Sequence, residues 1–435
     1  MFYEKNRKNF FAKMPDKSLA IIFSGTQKQR SNDTDFPFRQ DSNFYYLTGF
    51  LESNSVLVLR KNETVLESIL FVHPKDPLKE MWEGKCLGVD KACKRLHVDK
   101  SYSIKEFEKE LPVLLKNSQY LYYQTDLKPE SVEKALQGLK SGKESHLCPY
   151  EYRDIEKSVL ELRRKKQPYE IDMIKKALEI TQKAHHAAMA AAQPSKYEYQ
   201  VMATVEYIFK TDGASWDAYT TIVAGGNNAN TLHYISNDQR LVDGELILMD
   251  AGSEMNLYAS DITRCFPVNG KFSDAQKEVY EIVLKTQKAV INEIKPGVLR
   301  SSIGDLAIKM LSQGLIDLKI IDESLEHIIE NELYKPYYPH GIGHWMGLDV
   351  HDPVAYKDAE GNELAFEAGD VLTIEPGLYL DANDKAIPKA YRGIGIRIED
   401  DILVTKKGYE NLSVGIAKEI SEIESRCKAD IYDYI

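Results

Sequence analysis

The stretch LMDAGSEMNLYASDITRCF, residues 248–266, places two aspartates, Asp250 and Asp261, in an otherwise apolar context. Apolar runs on both sides predict a hairpin with strands at 246–249 and 257–266. Carboxylates are rarely buried unless a partner or a metal ion compensates their charge. A cation bound by this hairpin would therefore explain both aspartates, and two unrelated surface aspartates on an edge hairpin are the alternative.

The register of this hairpin depends on where its tip lies. Three polar residues are typical of turns: Ser253, Glu254 and Asn256. A tip between Met255 and Asn256 places Asp250 directly opposite Asp261. Because residues opposite each other on paired strands have Cβ atoms about 4.5–5.5 Å apart, two carboxylates there could clasp one cation.

The whole chain has the composition of an ordinary globular protein and is long enough for two domains. It has 435 residues, of which 43% are hydrophobic and 28% charged. The net charge of −11 disfavours nucleic acid and an anionic membrane surface as partners, since both select basic faces. No apolar run reaches the length of a membrane span, and the first residues lack the apolar core of a signal peptide.

The cysteines are consistent with a reducing compartment. They are five in number and scattered, without a CxxC pair: Cys86, Cys93, Cys148, Cys265 and Cys427. This pattern suggests neither a disulfide framework nor a zinc ribbon. We therefore expect a cytoplasmic protein.

The chain divides in sequence near residue 163. Residues 1–163 alternate short β-rich runs with polar helical stretches, which predicts an α/β domain with a mixed sheet. Pro168 then opens a long helix, and residues 164–435 form the second predicted domain. His185 and His186 lie in this helix, but adjacent helical residues diverge by about 100°, so we interpret both as ordinary helix histidines.

The second domain contains two pairs of acidic strands, which is compatible with an internal repeat. Asp250 and Asp261 belong to the first pair, and Glu375 in DVLTIEPGLYL and Glu399 in RGIGIRIEDDILV belong to the second. The period of two places Glu399 on the same strand face as Arg397. Glu375 ends a strand just before a Pro-Gly turn, a position from which a side chain can point into a cleft.

Four histidines lie in two further stretches of this domain. YPHGIGHWMGLDVHDP contains His340, His344 and His351, and TLHYISND contains His233. If four carboxylates and one neutral imidazole converge, they carry four negative charges, which cannot all stay ionised unaided. Two divalent ions would balance that charge, and an oxygen-rich ligand set with one imidazole suits Mn²⁺.

Together and in this order, these motifs resemble the pita-bread metallopeptidases, and among them most closely the bacterial Xaa-Pro aminopeptidases. FPFRQDSNFYYLTGF and MWEGKCLG in the first domain resemble the same family. The resemblance implies an α/β N-terminal domain followed by a pita-bread catalytic domain. It also implies five metal ligands: Asp250, Asp261, His344, Glu375 and Glu399. Asp261 and Glu399 would reach both ions.

The resemblance further implies an activity, the release of the N-terminal residue from peptides with proline second. A hydroxide bridging the two metals would attack the scissile carbonyl. Glu375 would act as general base, His351 would stabilise the oxyanion, and His233 would assist near the proline nitrogen. His340 would line the proline pocket and Arg397 would orient the metal-binding carboxylates. Tyr219 and Trp82 are weaker candidates, for which core packing is an equal alternative.

Rival functions differ in the substrate or in the absence of catalysis. Prolidase shares the ligand set but cuts only dipeptides, and it would need a basic side chain for the carboxylate after proline, for which Arg392 is a candidate. A methionine aminopeptidase is disfavoured by the long first domain, and creatinase-like enzymes lack these ligands. A non-catalytic pita-bread binding module is disfavoured by the complete ligand set. The family also suggests a homo-oligomer.

Overall fold

The structure, a computed structural model, describes residues 1–125 and 129–435. These form two compact units, Met1–Arg163 and Arg164–Ile435. We keep 1–163 and 164–435 as the proposed domain limits. Among the described residues, no helix is both long and apolar enough to cross a bilayer.

The first part of the chain alternates helices and strands. Its helices are α1 (Phe2–Lys13), α2 (Ser42–Thr48), α3 (Pro77–Glu83), α4 (Val89–Leu96), α5 (Phe107–Leu115), α6 (Glu130–Ser141) and α7 (Ile155–Arg164). Its strands are β1 (Ser18–Phe23), β2 (Gln29–Ser31), β3 (Thr34–Asp35), β4 (Val56–Asn62), β5 (Val65–Val72), β6 (Lys100–Ser103), β7 (Tyr120–Tyr123) and β8 (Glu151–Asp154).

Six of these strands form one sheet in the order β6-β5-β4-β1-β7-β8. The β1–β4 and β4–β5 pairs are antiparallel, whereas β5–β6, β1–β7 and β7–β8 are parallel. Apolar side chains of β1, such as Leu19 and Ile21, pack in one cluster with Leu111 of α5 and Leu136 of α6. The expected mixed α/β sheet is confirmed.

The second unit contains longer helices and shorter sheets. Its helices are α8 (Pro168–Ala191), α9 (Glu198–Thr211), α10 (Asp274–Asn292), α11 (Arg300–Asp317), α12 (Leu325–Glu330) and α13 (Ile420–Arg426). Its strands are β9 (Trp216–Asp217), β10 (Ile222–Gly225), β11 (Leu246–Asp250), β12 (Ser253–Met255), β13 (Tyr258–Ala259), β14 (Thr263–Pro267), β15 (Val371–Ile374), β16 (Gly377–Leu380), β17 (Ile394–Arg397), β18 (Asp400–Val404) and β19 (Tyr409–Asn411).

The strands of this unit pair only in antiparallel fashion within the described residues. Their sheets have the orders β10-β11-β14, β13-β12-β9, β15-β18-β19 and β16-β17. Two long helices precede the strands in each half, α8 and α9 in the first and α10 and α11 in the second. This shared order is compatible with the internal repeat, which stays a prediction.

Helix α8 begins at Pro168, as expected, and its histidines bond to backbone groups. His185 is fully buried and its Nε2 donates to the carbonyl of Ala251 at 2.9 Å. His186 Nε2 accepts from the backbone amide of Ala417 at 3.2 Å. Burial lowers the pKa of His185 to about 3 and that of His186 to about 4. Both are therefore neutral and tie α8 to its neighbours.

Candidate metal centre

The hairpin of β11 and β14 carries Asp250 and Asp261, but its register differs from the expected one. Asp250 pairs with Thr263, and Met255 pairs with Tyr258 in β12 and β13. The prediction that Asp250 lies directly opposite Asp261 is therefore wrong. Thr263, the observed partner of Asp250, lies two positions beyond Asp261, the expected partner. Because strand side chains alternate with a period of two, Asp250 and Asp261 still share one face of the hairpin as diagonal neighbours.

The physical reason for this register is the two-residue tip, Asn256 and Leu257. Both have positive φ, 49° and 66°, as a type I′ hairpin turn requires. Leucine is unusual in that conformation, but its side chain is buried, with 4% of its surface exposed. Ser253 and Glu254, expected in the turn, instead lie in β12.

The second acidic pair lies where strands meet. Glu375 follows β15 directly and Glu399 stands between β17 and β18. Glu399 donates its backbone amide to the carbonyl of Thr263 at 3.1 Å, which joins this region to β14. Ile396 and Ile398 are fully buried on the opposite face, as the period of two predicts. The apolar face therefore anchors the strand that carries Glu399.

His344 is held against the same strand as Glu375. The amide of Thr373 donates to the carbonyl of His344, and the amide of Glu375 donates to the carbonyl of Ile342, both at 2.9 Å. A Cβ at Gly343 would lie 1.9 Å from the carbonyl oxygen of Thr373, so only glycine permits this approach. The glycine in HGIGH thus brings His344 close to β15.

The five candidate ligands converge. Three overlapping groups each have ligand atoms within 4.8 Å of one another: Asp250 with Asp261 and Glu399; His344 with Glu375 and Glu399; and Asp261 with His344 and His351. His344 Nε2 lies 3.3 Å from Asp261 Oδ2 and 3.6 Å from Glu375 Oε1. His344 Nδ1 donates to the carbonyl of Trp345 at 3.1 Å, which directs Nε2 toward the carboxylates.

The charge of this cluster requires compensation. Burial, and then the neighbouring Asp261, Glu375 and Asp250 carboxylates, raise the pKa of Glu399 well above its ordinary value. Burial raises the pKa of Glu375 to about 7. Burial alone would lower the pKa of His344, but the Asp261 and Glu375 carboxylates raise it to about 9. A buried set of acceptors that repel one another and draw protons is the environment that a bound cation stabilises.

Arg397 connects the ligands of both acidic pairs. Its Nη2 donates to Asp250 Oδ2 at 2.7 Å, its Nε to Thr263 Oγ1 at 3.0 Å and its Nη1 to Tyr379 Oη at 2.9 Å. Thr263 in turn donates to Glu399 Oε2 at 2.7 Å. Tyr219 donates to Asp250 Oδ1 at 2.6 Å, which places this weaker candidate at the site. Asp250 is thus oriented from both of its oxygens.

His340 is neutral and fixed in one tautomer. Its Nδ1 lies 2.8 Å from the carbonyl of Gly341, which can only accept, so Nδ1 carries the proton. Its Nε2 then accepts from Tyr379 Oη at 2.8 Å, and that oxygen accepts from Arg397. Burial lowers the pKa of His340 to about 4. We assign His340 to the wall of the site, since both ring nitrogens already have partners.

A cavity of about 260 Å³ opens onto these groups. It is lined by the five candidate ligands and by Leu232, His233, Arg300, His340, Gly341, Gly343, His351, Tyr356 and Arg397. His233 and His351 are exposed, and the His351 ring lies 4.0 Å from the His344 ring between centroids. The four histidines identified in the sequence, His233, His340, His344 and His351, therefore line one cavity.

Several residues at the site were not expected from the sequence. Thr263 follows Asp261 by two positions, so the strand period could have indicated it. Asp401 Oδ2 accepts the amide of Asp261 at 3.1 Å, and Tyr379 links Arg397 to His340. Arg300 comes from a segment without any chemical motif and reaches the cavity through packing, and Tyr356 lies just beyond the histidine-rich stretch, five residues after His351.

Two of the expected candidates lie elsewhere. Arg392 donates through Nε to the carbonyl of Ile387 at 2.8 Å and through Nη2 to that of Lys385 at 2.9 Å, and it does not line the 260 Å³ cavity. Trp82 lies on α3 of the first unit with 83% of its surface exposed, so the alternative of core packing is wrong for this residue.

Comparisons with known proteins identify the family of this chain. Residues 172–406 match the model of metallopeptidase family M24, and residues 3–122 match that of the aminopeptidase P N-terminal domain. The chain belongs to metallopeptidase family M24. As a member of that family it is a metal-binding hydrolase, and the pita-bread fold expected for its second domain is confirmed.

Relatives of this M24 chain match it over nearly its full length. The Xaa-Pro aminopeptidases of Haemophilus influenzae and Escherichia coli are 42% and 39% identical, each covering 97% of this chain and 96% of the relative. Among solved structures, proline aminopeptidase P II from Yersinia pestis is 38% identical with a TM-score of 0.94, covering 98% of each chain. Zn-substituted E. coli aminopeptidase P in complex with product has the same identity and TM-score, covering 98% of this chain and 97% of that one.

Proposed function

We propose that this M24 member is an Xaa-Pro aminopeptidase, which releases the N-terminal residue from peptides with proline in the second position. The observation that carries this proposal is one cavity that gathers the five candidate ligands, which form overlapping close groups, and three further histidines. The names of the H. influenzae and E. coli relatives support the same activity.

We propose further that the site holds two divalent ions, Mn²⁺ being the best match to four carboxylates and one imidazole. The four carboxylates carry four negative charges and Arg397 adds one positive charge. Two divalent ions cancel the four carboxylate charges, so the two arginines of the cavity, Arg397 and Arg300, leave the site net positive, which favours an anionic group at the centre. Asp261, Glu399 and His344 each belong to two of the three ligand groups, and of these only the two carboxylates offer two ligand oxygens each, which supports their reaching both ions.

Three residues of the chain have proposed catalytic roles beside the metal ions. When bound, the ions polarise the scissile carbonyl and lower the pKa of water. Glu375 faces the cavity, where its carboxylate would act as general base. His351 would donate to the developing oxyanion, and His233 would assist near the leaving proline nitrogen.

His340 supplies a wall for the proline ring. Its own ring packs edge-on against Tyr338 and Tyr379, with centroids 4.9 and 5.5 Å apart. Because its nitrogens are committed to Gly341 and Tyr379, His340 offers mainly ring carbon surface to a ligand. Such a wall favours the compact apolar ring of proline.

Prolidase remains the second candidate. Arg392, the residue first considered for recognition of a dipeptide carboxylate, lies outside the cavity and is bound to two carbonyls. The match of residues 3–122 to the aminopeptidase P N-terminal domain disfavours a methionine aminopeptidase, and the gathered ligands disfavour a non-catalytic module. A cytoplasmic location and a homo-oligomeric state stay proposals based on the sequence and its resemblance.

The test is a direct comparison of peptides. Protein freed of metal by chelation and reloaded with Mn²⁺ should cut Xaa-Pro-Xaa peptides at the first bond at least as efficiently as Xaa-Pro dipeptides. It should cut matched Xaa-Ala-Xaa peptides much more slowly, because alanine leaves the proline pocket partly empty. Glu375→Gln is the inactive control. A kcat/KM clearly higher for dipeptides, with no release from longer peptides, would assign the chain to prolidase instead.

A further inference from the structure

Arg300 is a basic residue of the cavity to which the proposed mechanism gives no role. It is the first residue of α11, and its side chain reaches the HGIGH segment, where Nε donates to the carbonyl of Gly343 at 3.0 Å. Its guanidinium carbon lies 4.7 Å from the centre of the Tyr356 ring. A carbonyl and an aromatic face therefore hold the guanidinium in place.

The terminal nitrogens of Arg300 remain available to a ligand. Among the lining residues Arg397 is the other permanent cation, and all three of its nitrogens donate to Asp250, Thr263 and Tyr379. Within residues 1–125 and 129–435, neither Nη of Arg300 has a hydrogen-bonded or carboxylate partner. A guanidinium at a cavity with two free nitrogens is suited to a carbonyl or carboxylate oxygen.

The position of Arg300 indicates which part of a peptide it meets. A Cβ at Gly341 would lie 2.6 Å from Arg300 Nη2, so the guanidinium is next to the His340–Gly341 segment that forms the proposed proline wall. The free amine of a substrate is itself a cation and would be repelled there. The group that suits this place is an oxygen on the C-terminal side of the proline ring.

We propose that Arg300 binds the first acceptor oxygen that follows the proline ring, an inference that rests on the proposed Xaa-Pro activity. In an Xaa-Pro dipeptide this oxygen belongs to the terminal carboxylate. In a longer peptide it is the carbonyl oxygen of the proline residue. Arg300 is thus a substrate-binding residue that serves both classes and binds the charged group more strongly.

This role differs in its kinetic effect from a purely structural one. If Arg300 only positioned the His344 segment through Gly343, its loss would weaken metal binding and lower kcat equally for every substrate. If Arg300 binds the oxygen after proline, its loss raises KM, and the size of that increase depends on the charge of the oxygen. Three substrates with the same first residue separate these cases: Xaa-Pro, its amide Xaa-Pro-NH₂, and Xaa-Pro-Xaa.

Arg300→Met and Arg300→Lys should therefore be compared with wild type in the Mn²⁺-loaded enzyme. For Arg300→Met we expect KM for Xaa-Pro to rise on the order of 10–100-fold, because a charge-assisted hydrogen bond is lost. For Xaa-Pro-NH₂ and Xaa-Pro-Xaa, which lose a hydrogen bond to a neutral oxygen, we expect KM to rise about 2–10-fold. Metal content and kcat should change little. Arg300→Lys should recover part of the loss for Xaa-Pro, because it keeps the charge.

Arg392→Met is the matched control, since Arg392 also donates to backbone carbonyls but lies outside the cavity; its KM values should equal those of wild type. Equal losses for all three substrates, or loss of metal in Arg300→Met, would overturn the proposed role. Unchanged KM values in Arg300→Met would overturn it as well. Failure of the proposed function is distinguishable, because wild type itself would then release no residue from Xaa-Pro-Xaa, whereas failure of the Arg300 role leaves wild-type cleavage intact and is seen only in the variants.

Discussion

Arg397 Nη2 lies 2.7 Å from Asp250 Oδ2, and both side chains are almost completely buried. The same guanidinium reaches Thr263, whose hydroxyl donates to Glu399. One residue therefore fixes carboxylates that come from the two separate acidic strand pairs. A buried ion pair of this kind is costly to break from one side, because the remaining charge stays buried without a partner.

Replacing Arg397 with lysine should weaken metal binding without removing any ligand. Lysine keeps one charge but cannot donate in three fixed directions, so Asp250 loses part of its orientation. We expect metal affinity to fall about 10–100-fold, as is typical of residues that orient metal ligands. Titration with Mn²⁺ checks this, with Arg240→Lys as a control on an exposed arginine. Unchanged affinity would show that Asp250 does not depend on Arg397.

Asp261 and Asp250 should differ in their effects on metal content. Because Asp261 contributes to two ligand groups and Asp250 to one, Asp261→Asn should reduce the bound metal more strongly, toward loss of both ions. Asp250→Asn should chiefly weaken one ion. Metal analysis of the purified variants measures the difference, and Asp243→Asn, an exposed aspartate bonded to Asn269, is the control. Two ions and normal turnover in Asp261→Asn would contradict the assignment of this residue as a shared ligand.

His351→Ala should lower kcat by roughly 10²–10³-fold with metal content intact, since the proposed hydrogen bond to the oxyanion exists only in the transition state. The alternative role of His351 is that of a metal ligand, because it also lies within 4.8 Å of ligand atoms of Asp261 and His344. Kinetics and metal analysis on the same preparation separate the two roles, with the exposed His327→Ala as control. Loss of metal would make His351 a ligand, and a change confined to KM would place it in substrate binding.

Glu170 should make stability depend on pH independently of the metal. It accepts from the amide of Gln167 and from Tyr258 of the hairpin, and burial raises its pKa from 4.5 to about 7. Because folding raises the pKa of Glu170, its contribution to the free energy of unfolding is fully present below pH 4.5. That contribution is lost as the pH rises to about 7, by about 3 kcal/mol in all.

Glu170→Gln is uncharged and should not show this loss. The difference in unfolding free energy between wild type and Glu170→Gln should therefore shift in favour of the variant between pH 4.5 and 7 and stay constant above pH 7. Denaturant unfolding at several pH values measures it. A difference independent of pH would mean that Glu170 ionises in the folded protein as readily as in the unfolded chain.

Much of the candidate site could be predicted from the sequence. The gathering of Asp250, Asp261, His344, Glu375 and Glu399 is what the family resemblance of their motifs implies, and the strand period of two correctly places Arg397 on the face of Glu399. The placement of Arg397 succeeds because alternation along a strand depends on local geometry alone. The roles of these residues stay predictions.

The register of the hairpin could not be predicted in the same way. Leu257 has positive φ, which leucine rarely adopts, and only the burial of its side chain in the folded unit explains why the tip lies there. The positions of Arg300 and Tyr356 at the cavity could not be predicted either. Arg300 reaches the cavity through tertiary packing of α11 against the HGIGH segment, and Tyr356 lies only five residues after His351 but in a stretch that carries no motif of its own.

The hydrogen bonds between residues 342–344 and 373–375 have a consequence for local motion. They join the segment of His344 to the segment of Glu375, so both ligands should leave the site in one opening event. A metal that binds only the closed form makes that opening rarer in proportion to its binding free energy. Amide hydrogen exchange at Thr373 and Glu375 should therefore slow together when Mn²⁺ is added, and these two amides would report occupancy of the site without any substrate.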